Sequence, residues 1–244
     1  MDAPKFIELF AGIGGFRLGL ERAGWKCVYA NEIDKEACKV YKKHFGDREL
    51  YEGDIRKVDA KDIPDHTMLV GGFPCQPFSM AGKREGFSDF RGTLFFEIAR
   101  IIEAKRPQLL FLENVRGLLS AQEGYCFLRI LSVLDGLGYN VEWQGLNSKD
   151  FGVLQSRPRV FIIGHLRGKA TTQVFQPKAN AKYIKMDEKV QYVPCLTASY
   201  STDGYGAGRP YLFYGDEMCN FTPKEFERLQ GFPDDWTIGA KEGD

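Results

Sequence analysis

The chain has 244 residues, 43% of them hydrophobic, which is enough for one sizeable α/β core with at most a small appended lobe. Its 33 basic and 33 acidic side chains cancel, so no bulk positive field announces a nucleic-acid partner, and any such binding must rely on a local patch. Six cysteines without a Cys-x-x-Cys pair, and three histidines without ligand spacing to a cysteine pair, argue against zinc, against any other metal centre and against a disulfide framework.

In chain order, Met1 to Lys5 lacks a basic segment followed by an apolar run, and no later window approaches the length of a membrane span. The expectation is a soluble intracellular protein, cytoplasmic if bacterial or phage. Short β-rich runs then alternate with helical periodicity, the pattern of a mostly parallel, Rossmann-like α/β sheet with helices on both faces. Strands are expected at Phe6–Phe10, Cys27–Asn31, Met68–Gly71 and Leu109–Glu113, with a weaker one ending near Asp54. Helices fit Phe16–Ala23, Asp34–His44, Thr93–Ala104 and Tyr125–Leu137, the first and last closed by Gly24 and Gly138. Asn140–Leu146 and Val160–His165 read as a closing β-hairpin pair. Beyond Arg167 the chain turns polar and loses periodicity until a last helix opens at Thr222-Pro223-Lys224-Glu225, where threonine can cap and proline suits the first turn. This divides the chain into an α/β domain over 1–166, a polar region over 167–221, and a late helix with its tail over 222–244.

The first strand runs into Phe10-Ala11-Gly12-Ile13-Gly14-Gly15-Phe16, a glycine-rich turn that lets a nucleotide-like ligand approach the backbone at the carboxyl end of the sheet. Arg17 stands where a dinucleotide fingerprint wants glycine, so NAD is poorly supported. Glu32, ending the second strand, is placed to hold a ribose hydroxyl, and Asp54, ending the third, to take an adenine amino group. Cys75 follows an apolar run and sits between Pro74 and Pro77, which excludes a helix interior or a central strand and puts it on a stiff loop at the strand end. A thiol at that edge has the exposure a nucleophile needs. Glu113 follows the apolar run Leu109-Leu110-Phe111-Leu112, so it is partly desolvated and suits an acid that protonates or hydrogen-bonds a ring nitrogen. Arg157 and Arg159 occupy alternate positions and face one way if the backbone is extended, as forks for a carbonyl oxygen or a phosphate. Together these groups describe one reaction: a thiolate adds to C6 of a pyrimidine, making C5 electron-rich enough to take a methyl group from a sulfonium, with Glu113 at N3 and an arginine at O2. C6 is unreachable inside a duplex, so the base must be flipped out.

These residues resemble the cytosine C5 DNA methyltransferases of bacterial restriction-modification systems and their eukaryotic relatives. The likeness runs from Phe6 to His165 and resumes from Pro194 to Trp236. It rests on the glycine-rich turn, Glu32, Asp54, Pro74-Cys75-Gln76, Glu113-Asn114-Val115, the Gln155, Arg157 and Arg159 set, a mobile-loop-like Ser79 to Phe87, and Arg228-Leu229-Gln230-Gly231-Phe232-Pro233. It implies S-adenosylmethionine as cofactor, S-adenosylhomocysteine as product, double-stranded DNA as partner and a covalent Cys75–C6 adduct, with Cys75, Glu113, Arg157 and Arg159 catalytic. Phe10, Gly12, Ile13, Gly15, Glu32 and Ile33 are then expected to line the cofactor site. Asp54, Ile55, Phe73, Pro74 and Leu94 complete it.

The chain departs from the family pattern twice. The stretch from 166 to 193 is short for a target-recognition segment, and no Gly-Asn motif follows Trp236. The expectations attached to this are a truncated form, or a second subunit that supplies recognition or C-terminal elements. Two rival readings accompany the main one: a tRNA cytosine C5 methyltransferase, compatible with the short segment, and a catalytically incomplete cofactor-binding subunit.

Overall fold

The computed structural model describes residues 2–74, 94–169, 174, 211–214, 217–220 and 223–238. Cys75, the loop expected over Ser79 to Phe87, most of the 167–221 lobe and Thr222 lie outside these residues, so the expectations attached to them are not addressed by the coordinates.

Nine strands and five α-helices are present among the described residues: β1 Lys5–Leu9, α1 Gly15–Arg22, β2 Lys26–Glu32, α2 Lys35–Phe45, β3 Leu50–Glu52, β4 Met68–Gly72, α3 Leu94–Lys105, β5 Leu109–Val115, α4 Tyr125–Gly136, β6 Tyr139–Asn147, β7 Pro158–Leu166, β8 Tyr211–Tyr214, β9 Glu217–Asn220 and α5 Pro223–Gln230. Seven strands form one sheet in the order β3-β2-β1-β4-β5-β7-β6, and β8 pairs with β9 separately. The first five strands of that order run parallel; β7 is antiparallel to both β5 and β6. The expected closing pair is thus real, and its connection is tightened by a 3₁₀ turn over Ser148–Phe151. The β8–β9 hairpin was not anticipated, because no alternating apolar pattern marks it.

Strands β4 and β5 are apolar on both faces, which is why they read as continuous hydrophobic runs. Ile7, Leu9, Leu69, Leu110 and Leu112 belong to one core cluster with Phe95, Ile98, Ile101 and Ile102 of α3 and Phe127, Ile130 and Leu134 of α4. Phe6, Met68 and Val70, at the alternate positions, belong to a second cluster with Tyr41 of α2, against which Phe16 and Leu20 of α1 pack. Each such side chain contributes about 1.5–3 kcal/mol on burial. The period of two therefore assigns α3 and α4 to one face and α1 and α2 to the other. The Asp34 carboxylate accepts from the Ala37 amide at 2.7 Å and starts α2 one residue after the expected boundary.

One buried acid lies between the sheet and α1. Glu8 is fully buried, and its carboxylate accepts from the Arg17 amide at 3.4 Å and the Tyr41 hydroxyl at 3.3 Å. Burial pushes its pKa up to about 8. The Arg17 guanidinium donates to Tyr41 at 3.2 Å, pairs with Glu21 and Glu49, and lies 4.6 Å over the Phe45 ring. Arg17, the residue that spoiled the dinucleotide pattern, is thus the hub of a buried network behind the glycine-rich turn.

Candidate active site

Because β1 to β5 are parallel, the residues that end them share one edge of the sheet, the edge where α/β folds bind ligands. Phe10, Glu32, Asp54, Phe73 and Glu113 all fall there. The turn after β1 is a backbone construction. Phe10 has φ 56, uncommon for a residue with a Cβ, and Gly14 has φ 88 with the Phe45 ring occupying the space a Cβ would need. A Cβ on Gly12 would meet nothing within 4 Å, so the backbone there faces open space.

Glu32 clasps this turn from the end of β2. Its Oε2 accepts from the Gly12 amide at 2.7 Å, and its Oε1 accepts from the Ile33 and Asp34 amides at 2.8 and 2.9 Å. A carboxylate offers about four lone-pair sites, so roughly one remains for an incoming hydroxyl. Ile33 beside it is 60% exposed, an apolar surface beyond the end of the strand. Asp54 caps the 3₁₀ turn Ile55–Lys57 through the Arg56 amide, and the Arg56 guanidinium grips both its oxygens at 2.6–2.9 Å. That contact holds its pKa down to about 2. Ile55, expected at the pocket, is instead 2% exposed and packs in the main core, and Leu94 packs against that core from the start of α3.

The other half of the edge is built from side chains. Parallel pairing sets Gly72 beside Glu113, close enough that a Cβ on Gly72 would lie 3.1 Å from Glu113 Oε2. Glu113 Oε1 is held by Arg159 Nε at 2.7 Å, across the antiparallel β5–β7 pair. The expectation that Arg157 and Arg159 act from one extended face is met only by position: β7 begins at Pro158, and the Arg157 amide donates to Asn147 Oδ1 at 2.8 Å while its side chain is half-buried. Asn114, next to Glu113 and 2% exposed, donates through Nδ2 to the Phe73 carbonyl at 2.9 Å. It pins the last core residue before Pro74-Cys75 to β5. Sequence reasoning quoted Asn114 within a motif without a role for it; a buried amide beside an apolar run was the available signal.

Cys27, Cys38 and Cys126 are buried. Burial raises the Cys27 and Cys38 thiols to about 12, which makes them core groups and poor nucleophiles. Gln155 is fully buried, and neither atom of its side-chain amide has a partner among the described residues. Among the described residues no cluster of three or more His, Cys, Asp or Glu side chains could hold a metal, and no helix is long and apolar enough to cross a membrane.

The profile of the C-5 cytosine-specific DNA methylases matches residues 4–204. The chain belongs to that family. It is a DNA cytosine C5 methyltransferase, similar to the Type II methyltransferases M1.ScrFI of Lactococcus lactis subsp. cremoris (40% identical, covering 96% of this chain and 70% of that one) and M.NlaX of Neisseria lactamica (39%, covering 96% and 87%). Against M.HhaI of Haemophilus parahaemolyticus it is 48% identical over 65% of this chain and 48% of that protein. The fold is that of the S. pombe Dnmt2 methyltransferase crystal structure, with a TM-score of 0.73 at 23% identity over 98% of this methyltransferase and 90% of the other.

Proposed function

We propose that this methyltransferase transfers the methyl group of S-adenosylmethionine to C5 of a cytosine flipped out of duplex DNA, with Cys75 as nucleophile. The observation that carries the reading is the Glu113–Arg159 pair, set in register beside Gly72 and therefore beside the strand end that leads through Phe73 and Pro74 to Cys75. The cofactor suits the residues at the opposite half of the edge. The Gly12 backbone faces open space, Glu32 retains acceptor capacity for a ribose hydroxyl, and Ile33 offers an apolar surface for a base. When bound, S-adenosylmethionine supplies an electrophilic sulfonium methyl group.

The protein groups then act on the base. The Cys75 thiolate adds at C6 and raises electron density at C5. Glu113, through the carboxyl edge that faces Gly72, hydrogen-bonds the ring at N3 and lowers the cost of the charge that develops there. Arg159 fixes the Glu113 carboxyl, so that no reorganisation is needed as the adduct forms. Asn114 holds the Phe73 carbonyl and with it the direction in which the chain leaves β4. A base then takes the C5 proton, and the electron pair of that C–H bond re-forms the C5–C6 double bond as the Cys75 sulfur leaves as thiolate.

The test is mass-spectrometric detection of a covalent adduct between Cys75 and a 5-fluorocytosine DNA duplex in the presence of S-adenosylmethionine. Cys75→Ser is expected to abolish both adduct and turnover while leaving the melting temperature unchanged. A serine variant that methylates DNA at the parental rate would refute the mechanism. Labelled methyl transfer to tRNA but not to duplex DNA would refute the substrate.

A further inference from the structure

The segment after α5 folds back onto the glycine-rich turn, and one side chain makes the connection. Trp236 is 5% exposed, and its indole Nε1 donates to the Ile13 carbonyl at 3.1 Å. Its ring lies flat on His44, with centroids 3.7 Å apart and an interplanar angle of 3°, and Phe45 and Phe232 flank it at 5.8 and 5.5 Å. The Trp236 carbonyl is 2.6 Å from His44 Nε2; a carbonyl can only accept, so that nitrogen carries the proton. Lys43 donates to the Asp235 and Ile238 carbonyls at 3.1 and 3.3 Å, and Glu227 Oε1 takes the Thr237 amide and hydroxyl at 2.5 and 2.7 Å. The indole is therefore held in place before it reaches the turn.

The residue it reaches lies between two others already restrained. Gly12 is held by Glu32, and the Gly14 amide donates to the Ala11 carbonyl at 3.0 Å. The Ile13 carbonyl and the Gly14 amide belong to one peptide unit, so the Trp236 bond at the carbonyl and the Ala11 bond at the amide hold that plane from both ends. We infer that Trp236 is a positioning residue for the cofactor: by holding the Ile13 carbonyl it fixes the peptide plane of the turn in its cofactor-binding form. The inference rests on the reading of this turn as the S-adenosylmethionine site.

Steady-state kinetics on duplex DNA and calorimetric titration with S-adenosylmethionine test it on the full chain. Trp236→Phe keeps an aromatic ring in the stack and removes the indole N–H together with part of the ring area. It is expected to raise the KM and Kd for S-adenosylmethionine about five- to tenfold, the ratio set by one hydrogen bond, with kcat at saturating cofactor within about twofold of the parent. Thr237→Ala loosens the same segment without touching the turn, and should lower the melting temperature while leaving KM and Kd at parental values. Equal KM increases in the two variants, a Trp236→Phe effect confined to kcat and melting temperature, or no change in KM and Kd would each overturn the role. Glu32→Ala separates this from failure of the underlying reading. If Glu32→Ala loses cofactor affinity and Trp236→Phe does not, the turn is the cofactor site and the tryptophan role is wrong. If Glu32→Ala binds S-adenosylmethionine as the parent does, the site itself is wrong.

Discussion

Two glutamates end parallel strands of one sheet and have opposite surroundings. Glu32 is surrounded by backbone: three amides, from Gly12, Ile33 and Asp34, converge on its two oxygens. Glu113 is surrounded by side chains: Arg159 takes one oxygen, and the other faces Gly72 at the base of the Pro74-Cys75 loop. The half proposed for the cofactor is thus a shape made by the main chain and clasped by a carboxylate. The half proposed for catalysis is an ion pair laid across neighbouring strands. On that reading, loss of Glu32 should disturb binding and folding together, whereas loss of the Glu113 carboxyl should disturb chemistry alone.

The largest effect should come from Glu113→Gln, which keeps the shape and removes the carboxyl that can give a proton to N3. Its kcat should fall by about 10²–10³-fold, with the Kd for S-adenosylmethionine within about threefold of the parent. Equal losses in calorimetric affinity and turnover would erase the distinction between the two halves. Glu32→Ala should show the converse: a large loss of cofactor affinity, and a destabilisation of about 1–3 kcal/mol in urea as the three amides lose their shared acceptor. Unchanged urea stability would show that the clasp is not part of the architecture.

The smallest effect belongs to Glu8, the buried acid behind the turn, and it appears as a pH dependence of stability. Its pKa in the folded chain, about 8, lies above the ordinary carboxylate value of 4.5 that it regains on unfolding. The folded state therefore holds the extra proton between those values. The stability contributed by this group is complete below pH 4.5 and declines as pH rises towards 8. Glu8→Gln should flatten the decline of melting temperature over that window and make the variant the more stable protein at pH 8. A parental slope retained in the glutamine variant would assign the dependence to another group.

Much of this was legible in the sequence because the responsible signals are local. Strand-length apolar runs, a glycine turn opening a helix and an acid at the next strand end placed Phe10, Gly12, Glu32, Asp54 and Glu113 on one edge. Local reasoning could not supply burial or contacts that depend on distant partners. Ile55 follows Asp54 in sequence, and the 3₁₀ turn sets it in the core. Arg157 and Arg159 are two residues apart, β7 starts between them, and Arg159 pairs with Glu113.

The sequence by itself determined the sheet class, which residues end the parallel strands at one edge, and the family, since periodicity and short motifs are written in consecutive residues. Only the tertiary structure decided which of those groups touch. Arg159 reaches Glu113 because β7 runs antiparallel to β5, and Asn114 secures Phe73 because β4 and β5 lie side by side. Trp236 reaches Ile13 across 223 positions because the chain folds back after α5. No window of residues contains both members of such pairs, and their contact depends on register and packing direction.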